Sequence, residues 1–356
     1  MARLGKAADN KTIFFKEERF MKKRLLAVLL SVAMVATMVV GCSSSKEETK
    51  EPEKVEETEK EAEALPGGGS NIIWIITPSH SNPFFKTEAE AASAKAKELG
   101  YEVKTASHDD DATKQSELFD NAIADKAAAI ICDNAGADAT VEAVQKARDA
   151  GIPTFLIDRE INAEGVAISQ IVANNYQGAK AIAEEWVEAM GEEGKYAELL
   201  GKESDTNAGV RSSAFHEVID QYDGLECVAT QTANWEQVQG FEKAELILQS
   251  NPEITGIICG NDTMAVGAAE ACKKAGRTDI KIIGVDGSDE AAALIKAGEM
   301  TGTALQQCAL IAEMAVEQAD EYLKNGTTGL AEKQLVDCVA ITIDNVDKLS
   351  AFVYSE

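Results

Sequence analysis

Short apolar runs alternate with stretches of helical periodicity from residue 71 to the end of the chain. Runs of this length, bounded by glycine, proline, asparagine and aspartate, are typical of buried strands. Eleven are found, at residues 72–77, 102–106, 128–132, 154–158, 167–173, 196–200, 226–231, 255–259, 280–285, 302–306 and 336–343. Strands that alternate with helices predict an α/β fold with doubly wound parallel sheets. Because this number exceeds the usual size of one sheet, we expect two lobes.

The first of these units places polar and aromatic side chains at a strand-to-helix turn. The apolar run 72–76 is followed by Ser81-Asn82-Pro83-Phe84-Phe85 and then by a helical pattern that stops at Gly100. In open α/β sheets, ligands bind beyond the carboxyl ends of the strands, where this turn lies. An amide donates and accepts hydrogen bonds, and a flat ring can cover the C–H face of a hydroxylated molecule. The alternative is that Phe84 and Phe85 are core residues at a helix start.

Two later segments repeat one pattern. The first runs from a strand and Asn134 through a helix to a strand that ends at Asp158, and the second runs likewise from Asn261 to Asp286. Polar groups lie at the strand ends of both segments, where parallel sheets bind ligands. Two equivalent βαβ units therefore predict a cleft with one unit on each side.

Each lobe is expected to be built from separate segments of the chain. Crossings between lobes are predicted near residues 170–175, 301–307 and 335–339. This assigns residues 71–173 and 306–335 to the N-terminal lobe and residues 174–305 and 336–356 to the C-terminal lobe. Three crossings predict a three-strand hinge that bends without much shear.

The amino-terminal region predicts export. Met21 opens a basic stretch, Met-Lys-Lys-Arg, and the apolar run 25–40 follows it. That run is shorter than the roughly 20 residues needed to span a bilayer, and it has the layout of a secretory signal. We therefore expect residues 1–41 to be a signal region whose true start is Met21.

A cysteine follows the apolar run directly. The sequence Val39-Val40-Gly41-Cys42 resembles a bacterial lipobox, which implies cleavage before Cys42 and a lipid on its sulfur. The alternative is a plain signal peptide in which this cysteine is incidental. Residues 42–70 are acidic and end in a glycine-rich stretch, so they predict a solvated linker. The protein is then expected on the extracytoplasmic face of the cell membrane, held only by its lipid.

Composition excludes several classes of function. The 356 residues carry a formal net charge of −27, which argues against nucleic-acid binding because that requires a basic surface. The three histidines have no metal-ligand spacing, so neither a metal nor a cofactor is predicted. Asp111 ends an aspartate run without the spacing of a calcium loop, and a helix N-cap is the better interpretation. Cys132 and Cys259 end apolar strands and are interpreted as buried free thiols.

The motifs taken together are similar to one family, the type I periplasmic solute-binding proteins of the ribose-binding kind that serve sugar ABC transporters. Seven motifs carry the resemblance: Asn82-Pro83-Phe84-Phe85, Leu156-Ile157-Asp158-Arg159, Arg211 within Gly209–Phe215, Trp235, Asn261-Asp262-Thr263-Met264-Ala265, Gly284-Val285-Asp286-Gly287 and Gln306. They follow the order and spacing of the family and cover residues 71–345, which is essentially the whole folded part.

The resemblance implies a ligand site shared by both lobes. One lobe would supply Asn82, Phe84, Phe85, Asp158 and Arg159, and the other would supply Arg211, Trp235, Asn261 and Asp286, with Gln306 on a hinge strand. Carboxylates accept from hydroxyl groups, arginine forks donate to two oxygens, and aromatic rings cover apolar faces. Taken singly, each residue has a structural alternative, such as a helix cap for Asp286, a turn for Asn261 or a solvated charge for Arg211.

The expected function is capture of a neutral sugar or sugar alcohol and its delivery to an ABC permease by a monomeric protein that is not an enzyme. Ala214, Val285 and His80-Ser81 depart from the family pattern, so pentoses, hexoses and acyclic polyols all stay open as ligands. One alternative is a sensor that docks a chemoreceptor or kinase. Another is a sugar-modifying enzyme that uses Asp158 and Asp286, although arginine and amide neighbours are expected to hold both carboxylates ionised.

Overall fold

The computed structural model describes residues 69–355. The strands in this range are β1 (Ile72–Thr77), β2 (Glu102–Ser107), β3 (Ala129–Cys132), β4 (Thr154–Ile157), β5 (Ser169–Ala173), β6 (Glu193–Leu200), β7 (Gly224–Thr232), β8 (Ile254–Cys259), β9 (Lys281–Asp286), β10 (Gly302–Leu305), β11 (Lys333–Val336), β12 (Val339–Thr342), β13 (Leu349–Ser350) and β14 (Val353–Tyr354). The α-helices are α1 (Pro83–Glu98), α2 (Ala112–Ala124), α3 (Val141–Asp149), α4 (Asn175–Met190), α5 (Thr206–Ile219), α6 (Gln237–Ser250), α7 (Asp262–Lys274), α8 (Asp289–Ala297) and α9 (Cys308–Asn325). The expected signal region, the lipidation at Cys42 and most of the linker fall outside the described residues.

The strands form two six-stranded sheets, as the alternation of strands and helices predicts. The first sheet has the order β11-β5-β4-β3-β1-β2 and is parallel throughout. The second has the order β12-β10-β9-β8-β6-β7, and β12 is its only antiparallel strand. The architecture is therefore two lobes of doubly wound α/β structure, and a small hairpin of β13 and β14 follows the second sheet.

Both faces of each sheet are covered, so the central strands read as continuous apolar runs. Successive side chains of a strand point to opposite faces. Ile75 of β1 joins a cluster that contains Ala312 of α9, whereas its neighbour Ile76 joins a cluster that contains Phe119 of α2. Within residues 69–355, no helix is both long and apolar enough to cross a bilayer.

The chain passes between the two sheets at three places, after β5, after β10 and between β11 and β12. Asp337, in the third crossing, joins all three. Its side chain accepts from Asn174 Nδ2 in the first crossing at 2.9 Å, and its carbonyl accepts from Gln307 Nε2 in the second at 3.0 Å. These bonds bring the crossing segments together, while the exact lobe boundaries stay a prediction.

One strand prediction is wrong. Residues 336–343 are not a single strand, because β11 ends at Val336 in the first sheet and β12 begins at Val339 in the second. Asp337 and Cys338 between them make hydrogen bonds to the other crossings instead of to a sheet; the Cys338 amide donates to Gln177 Oε1 at 2.9 Å. The change of sheet falls within the crossing predicted near residues 335–339, so only the strand bounds are wrong: the apolar pattern continues through the crossing.

Candidate functional site

A cavity lies between the carboxyl ends of the two sheets. It is lined by all ten residues that the sequence predicts, together with one that it does not, Asp205: Asn82, Phe84, Phe85, Asp158, Arg159, Asp205, Arg211, Trp235, Asn261, Asp286 and Gln306. The structure thus brings together residues from both lobes and from the segment between β10 and α9.

Helix and strand ends position the polar residues. Asn82 is the N-cap of α1 and accepts from the amide of Phe84, and Asn261 caps α7 by accepting from the amide of Met264. The turn-forming alternative for Asn261 is therefore also correct, because its amide oxygen holds the helix start. Asp286 does not cap α8, a role that belongs to Ser288.

Two aspartates at the strand ends have left-handed backbone angles. Asp158 follows β4 with φ 58°, and Asp286 ends β9 with φ 141°. Such angles in residues other than glycine cost on the order of 1–3 kcal/mol and persist where the surroundings fix them, often at functional sites. Both side chains are thereby turned toward the cavity that they line.

Arg159 is buried among carboxylates. Its Nη1 donates to Asp110 Oδ1 and to the carbonyl of Asn134, both at 2.9 Å. Its Nε lies 2.9 Å from Asp205 Oδ2 and 3.4 Å from Asp133 Oδ1. The guanidinium carbon lies 4.9 Å from the centre of the Phe85 ring. Arg159 is therefore held by contacts on several sides in one orientation.

Arg211, on α5, is held mainly by neutral groups. Its Nε donates to Asn175 Oδ1 at 2.7 Å, and its Nη1 donates to the carbonyl of Gly260 at 2.9 Å. The carboxylate of Asp286 lies farther away, 3.8 Å from Nη1. The guanidinium lies over the Trp235 ring at 5.3 Å, so it is no solvated charge.

Trp235 fits tightly into the C-terminal lobe. A Cβ atom at Gly201 would lie 1.9 Å from the indole ring, and one at Gly260 would lie 2.9 Å from it, so both positions require glycine. Phe84 and Phe85 form the opposite wall, with their rings edge to face at 5.6 Å, and Phe84 also contacts Phe352. The three rings therefore give the cavity two apolar walls.

Four buried polar atoms of the cavity residues have no hydrogen-bond partner among residues 69–355: Asp158 Oδ1, Gln306 Oε1, Trp235 Nε1 and Arg159 Nε. Arg159 Nε is still in an ion pair with Asp205, 2.9 Å away. The Gln306 amide nitrogen donates to Asp286 Oδ1 at 2.8 Å, which leaves the amide oxygen as an acceptor. Apart from Arg159 Nε, two acceptors and one donor therefore stay available. Because unpaired buried polar groups are costly, a ligand with groups that both donate and accept suits this wall.

The two lobes touch directly around the cavity. Asp205, the N-cap of α5, forms the ion pair with Arg159, and Asn207 Nδ2 donates to the carbonyl of Asp158 at 3.0 Å. The amide of Ala137 donates to the carbonyl of Ser204 at 3.2 Å. Contacts of this kind define a closed arrangement in which the cavity is enclosed by both lobes.

The sequence gives little sign of Asp205. Its side chain accepts from the amide of Asn207 at 2.9 Å, so the residue also acts as an ordinary helix cap, and its position before α5 predicts only that role. Its approach to Arg159 depends on how the two lobes meet.

Neither cavity aspartate has the lowered pKa that its arginine neighbour favours, although a pKa of about 6 still leaves Asp158 mainly ionised at pH 7. Burial raises the pKa of Asp158 to about 6 against the opposing effect of Arg159, and burial likewise raises the pKa of Asp286 against that of Arg211. The nearest arginine atom lies 3.8 Å from each carboxylate, so desolvation outweighs the attraction.

The other chemical expectations can be checked in the described part of the chain. Asp111 caps α2, as expected, and Cys132 and Cys259 are buried free thiols. Within residues 69–355, no group of three or more histidine, cysteine, aspartate or glutamate side chains is arranged to hold a metal ion.

Comparison with known proteins gives one consistent family. A family model described as a periplasmic binding protein domain matches residues 73–328. A D-apiose import binding protein of Actinobacillus succinogenes is 57% identical over 81% of this chain and 93% of its own length. A protein of the same name from Paraburkholderia graminis is 54% identical over 80% of this chain and 91% of its own length.

A solved structure supports the same family. An ABC transporter periplasmic solute-binding protein from Actinobacillus succinogenes with bound D-allose is 28% identical, covers 78% of this chain and 99% of its own, and superposes with a TM-score of 0.73. The chain therefore belongs to the type I periplasmic sugar-binding proteins of ABC transporters.

Proposed function

We propose that this protein captures D-apiose, or a closely related neutral sugar, between its lobes and delivers it to an ABC permease. The observation that carries the proposal is the cavity wall, in which unpaired donors and acceptors alternate with three aromatic rings. A sugar offers hydroxyl groups that both donate and accept, and it offers C–H faces that pack on rings. Two relatives that are 57% and 54% identical to this chain over the aligned residues are named for D-apiose import.

The lining of the cavity supports a small solute, because polar and aromatic side chains of both lobes converge on it. The ten predicted residues act in it as ligand contacts, and Asp205 completes its wall. No chemical step is needed, because closure over the sugar is itself the signal that the permease would read.

The amino terminus supports an anchored protein. Cleavage before Cys42 and attachment of lipid would hold the monomer at the extracytoplasmic face, since the acidic chain is repelled by anionic lipid head groups. Expression with Cys42→Ala should release the protein from the membrane fraction. Retention of that variant in the membrane would contradict lipidation at this residue.

A thermal-shift panel tests the proposal. D-apiose should raise the melting temperature more than D-ribose, D-allose or myo-inositol, and a hundredfold excess over the dissociation constant stabilises by ~2.7 kcal/mol. Trp235→Ala and Arg211→Ala should each remove the shift in a protein that still folds. Leu246→Ala, on the exposed face of α6, is the matched control and should keep the shift. Binding retained by both cavity variants would contradict the site.

A sugar-modifying enzyme is the second candidate, and one observation favours it. A pKa of about 6 at Asp158 suits a group that transfers protons near neutral pH. Incubation of the protein with the bound sugar, followed by chromatography, separates the two functions. We expect the sugar to be recovered unchanged, and a new product would favour the enzyme.

A further inference from the structure

Two carboxyl groups lie behind the cavity wall without lining it. Glu88 is on α1, one turn after Phe84 and Phe85, and Asp133 follows β3 directly. Both side chains are fully buried, at 0% exposure. The function proposed above gives neither of them a role.

All four carboxyl oxygens of this pair lack a hydrogen-bond partner among residues 69–355. Two ionised carboxylates cannot bond to each other, because a carboxylate only accepts. A proton on Glu88 turns that group into a donor, and Asp133 is the acceptor that it faces. A buried carboxylate without a partner is far more costly than a protonated one, so the proton stabilises the pair.

The surrounding charges favour the same state. Carboxylates of Asp110, Asp133, Asp158 and Asp205 all lie within 3.8 Å of the Arg159 guanidinium. One guanidinium cannot balance four negative charges, and an ionised Glu88 would add another. The only other ammonium or guanidinium group paired with this set in the described part of the chain is Lys202, 3.7 Å from Asp110.

Asp133 connects the pair to the cavity. Its Oδ1 lies 3.4 Å from Arg159 Nε, the same atom that Asp205 Oδ2 approaches at 2.9 Å. Nη1 is occupied by Asp110 and the carbonyl of Asn134. No hydrogen bond within residues 69–355 uses Nη2 of Arg159, a residue that lines the cavity.

We propose that Glu88 and Asp133 share one proton and act as a positioning pair for Arg159. Glu88 donates to Asp133, the Asp133 carboxylate holds the Nε edge of Arg159, and the guanidinium so fixed presents Nη2 to the bound sugar. Only the sugar-binding part of this inference rests on the proposed function. The retained proton is a property of the folded protein alone.

The groups that face the pair come from several elements. They are Asp110, Cys132, Asp158, Arg159, Asp205 and Cys308. His108 Nε2 also bonds to the carbonyl of Asp133, and burial lowers the pKa of His108 to about 4, so it is neutral near pH 7. Burial raises the pKa of both cysteine thiols, so these stay uncharged as well.

The retained proton has a definite consequence for stability. Burial raises the pKa of Glu88 well above its usual value, whereas in the unfolded chain the group ionises near pH ~4.3. Above that pH the folded state binds a proton that the unfolded state has lost, so this group lowers stability as the pH rises. Glu88→Gln keeps a donor for Asp133 and has no proton to lose. The variant should therefore gain melting temperature relative to wild type between pH 5 and pH 8.

The test of sugar binding uses Asp133→Asn, which removes the carboxylate beside Arg159. Its affinity for D-apiose at pH 7, measured by isothermal titration, should fall about tenfold or more, the usual effect of losing a bond to a charged group. Glu88→Gln should keep the wild-type affinity. Glu198→Gln is the matched control, since Glu198 is a buried carboxylate that pairs with His216 and does not line the cavity. It should lose melting temperature but keep its affinity.

Each arm can overturn the proposal. A Glu88→Gln protein that does not gain melting temperature relative to wild type on going from pH 5 to pH 8 would show that no proton is retained. Wild-type affinity in folded Asp133→Asn, or an equal loss of affinity in Glu88→Gln, would show that the pair does not position Arg159. If wild type itself fails to bind D-apiose, the proposed function fails, and the pH comparison still decides the shared proton.

Discussion

The two arginines of the cavity come from different elements, Arg159 from just after the end of β4 and Arg211 from α5, and their surroundings also differ. Arg159 and Arg211 are both buried, each lies over an aromatic ring, and each is 3.8 Å from a strand-end aspartate. Arg159 is surrounded by carboxylates, whereas Arg211 donates to an amide oxygen and a backbone carbonyl. The two sides of the cavity therefore each hold a buried arginine over a ring, but they differ in charge balance.

This difference separates two ways of holding a cation. The hydrogen-bond partners of Arg211 are neutral, so removal of the arginine costs about as much as the loss of ordinary hydrogen bonds. Around Arg159 the partners are charged and desolvated, so they depend on the guanidinium and on retained protons. The N-terminal side of the cavity should therefore respond to pH and to charge changes more strongly than the C-terminal side.

The largest effect should come from removing each arginine in turn. Arg159→Met leaves several buried carboxylates without a cation and should cost about 3–5 kcal/mol of unfolding free energy. Arg211→Met leaves mainly neutral acceptors unpaired and should cost about 1–3 kcal/mol. Urea unfolding at pH 7 without sugar measures both. Equal losses would contradict the comparison. The control is Arg277→Met, which removes a half-buried arginine that pairs with Asp279 and does not line the cavity.

A smaller effect should follow from Asp205→Asn. This change weakens the ion pair with Arg159 that bridges the lobes, at 2.9 Å, while the amide oxygen can still cap α5. Because sugar favours the form in which both lobes contact it, a weaker closed form should lower the affinity about fivefold to tenfold. Isothermal titration measures this change.

Small-angle scattering checks the cause of that loss. The radius of gyration of sugar-free Asp205→Asn should exceed that of wild type, since fewer molecules are closed. Asp220→Asn, which changes an exposed carboxylate elsewhere in the same lobe, should alter neither quantity. A lower affinity with an unchanged radius would mean that Asp205 acts only as a sugar contact.

Two histidines have pKa values that are shifted in opposite directions. His108, beside Asp133, has its pKa lowered to about 4 by burial, and its Nδ1 already accepts from the amide of Asp110. His216, in the other lobe, has its pKa raised to about 9 by hydrogen bonding to Glu198.

The pKa of His108 is lower in the folded state than in the unfolded chain, so the unfolded chain binds the proton first. Wild type should therefore lose stability as the pH falls from about 6.5 to about 4. His108→Gln should lack this loss. His216 contributes stability that is complete below pH ~6.5 and disappears as the pH rises through about 9, so the deficit of His216→Gln should shrink over that interval. Melting curves across this pH range check both, and pH trends of the same sign in the two variants would contradict them.

The sequence predicts the fold and the members of the cavity because both depend on local order. Asp158 and Asp286 stand at the carboxyl ends of strands, and in a parallel sheet these ends lie at one edge for any arrangement of the other segments. Ten predicted residues accordingly converge on one cavity. Whether they bind sugar is a matter for the experiments above.

What the sequence could not predict depends on neighbours distant along the chain. Asp205 meets Arg159 only because the lobes close, and Glu88 meets Asp133 only because α1 packs beside β3. The pKa of Asp158 was expected to be low from its arginine neighbour, but burial, which sequence does not show, has the larger effect. The crossing near 335–339 was predicted, but the strand bounds within 336–343 were not, because the apolar pattern runs on through the point where the chain changes sheets.

The central claim is that the cavity is built for a small hydroxylated molecule, and a crystal structure with D-apiose tests it most directly. The account predicts one sugar between the rings of Phe85 and Trp235, with hydroxyl groups bonded to Asp158 Oδ1, Gln306 Oε1 and Trp235 Nε1. A sugar bound elsewhere, or a sugar in the cavity that leaves these three atoms unbonded, would contradict it.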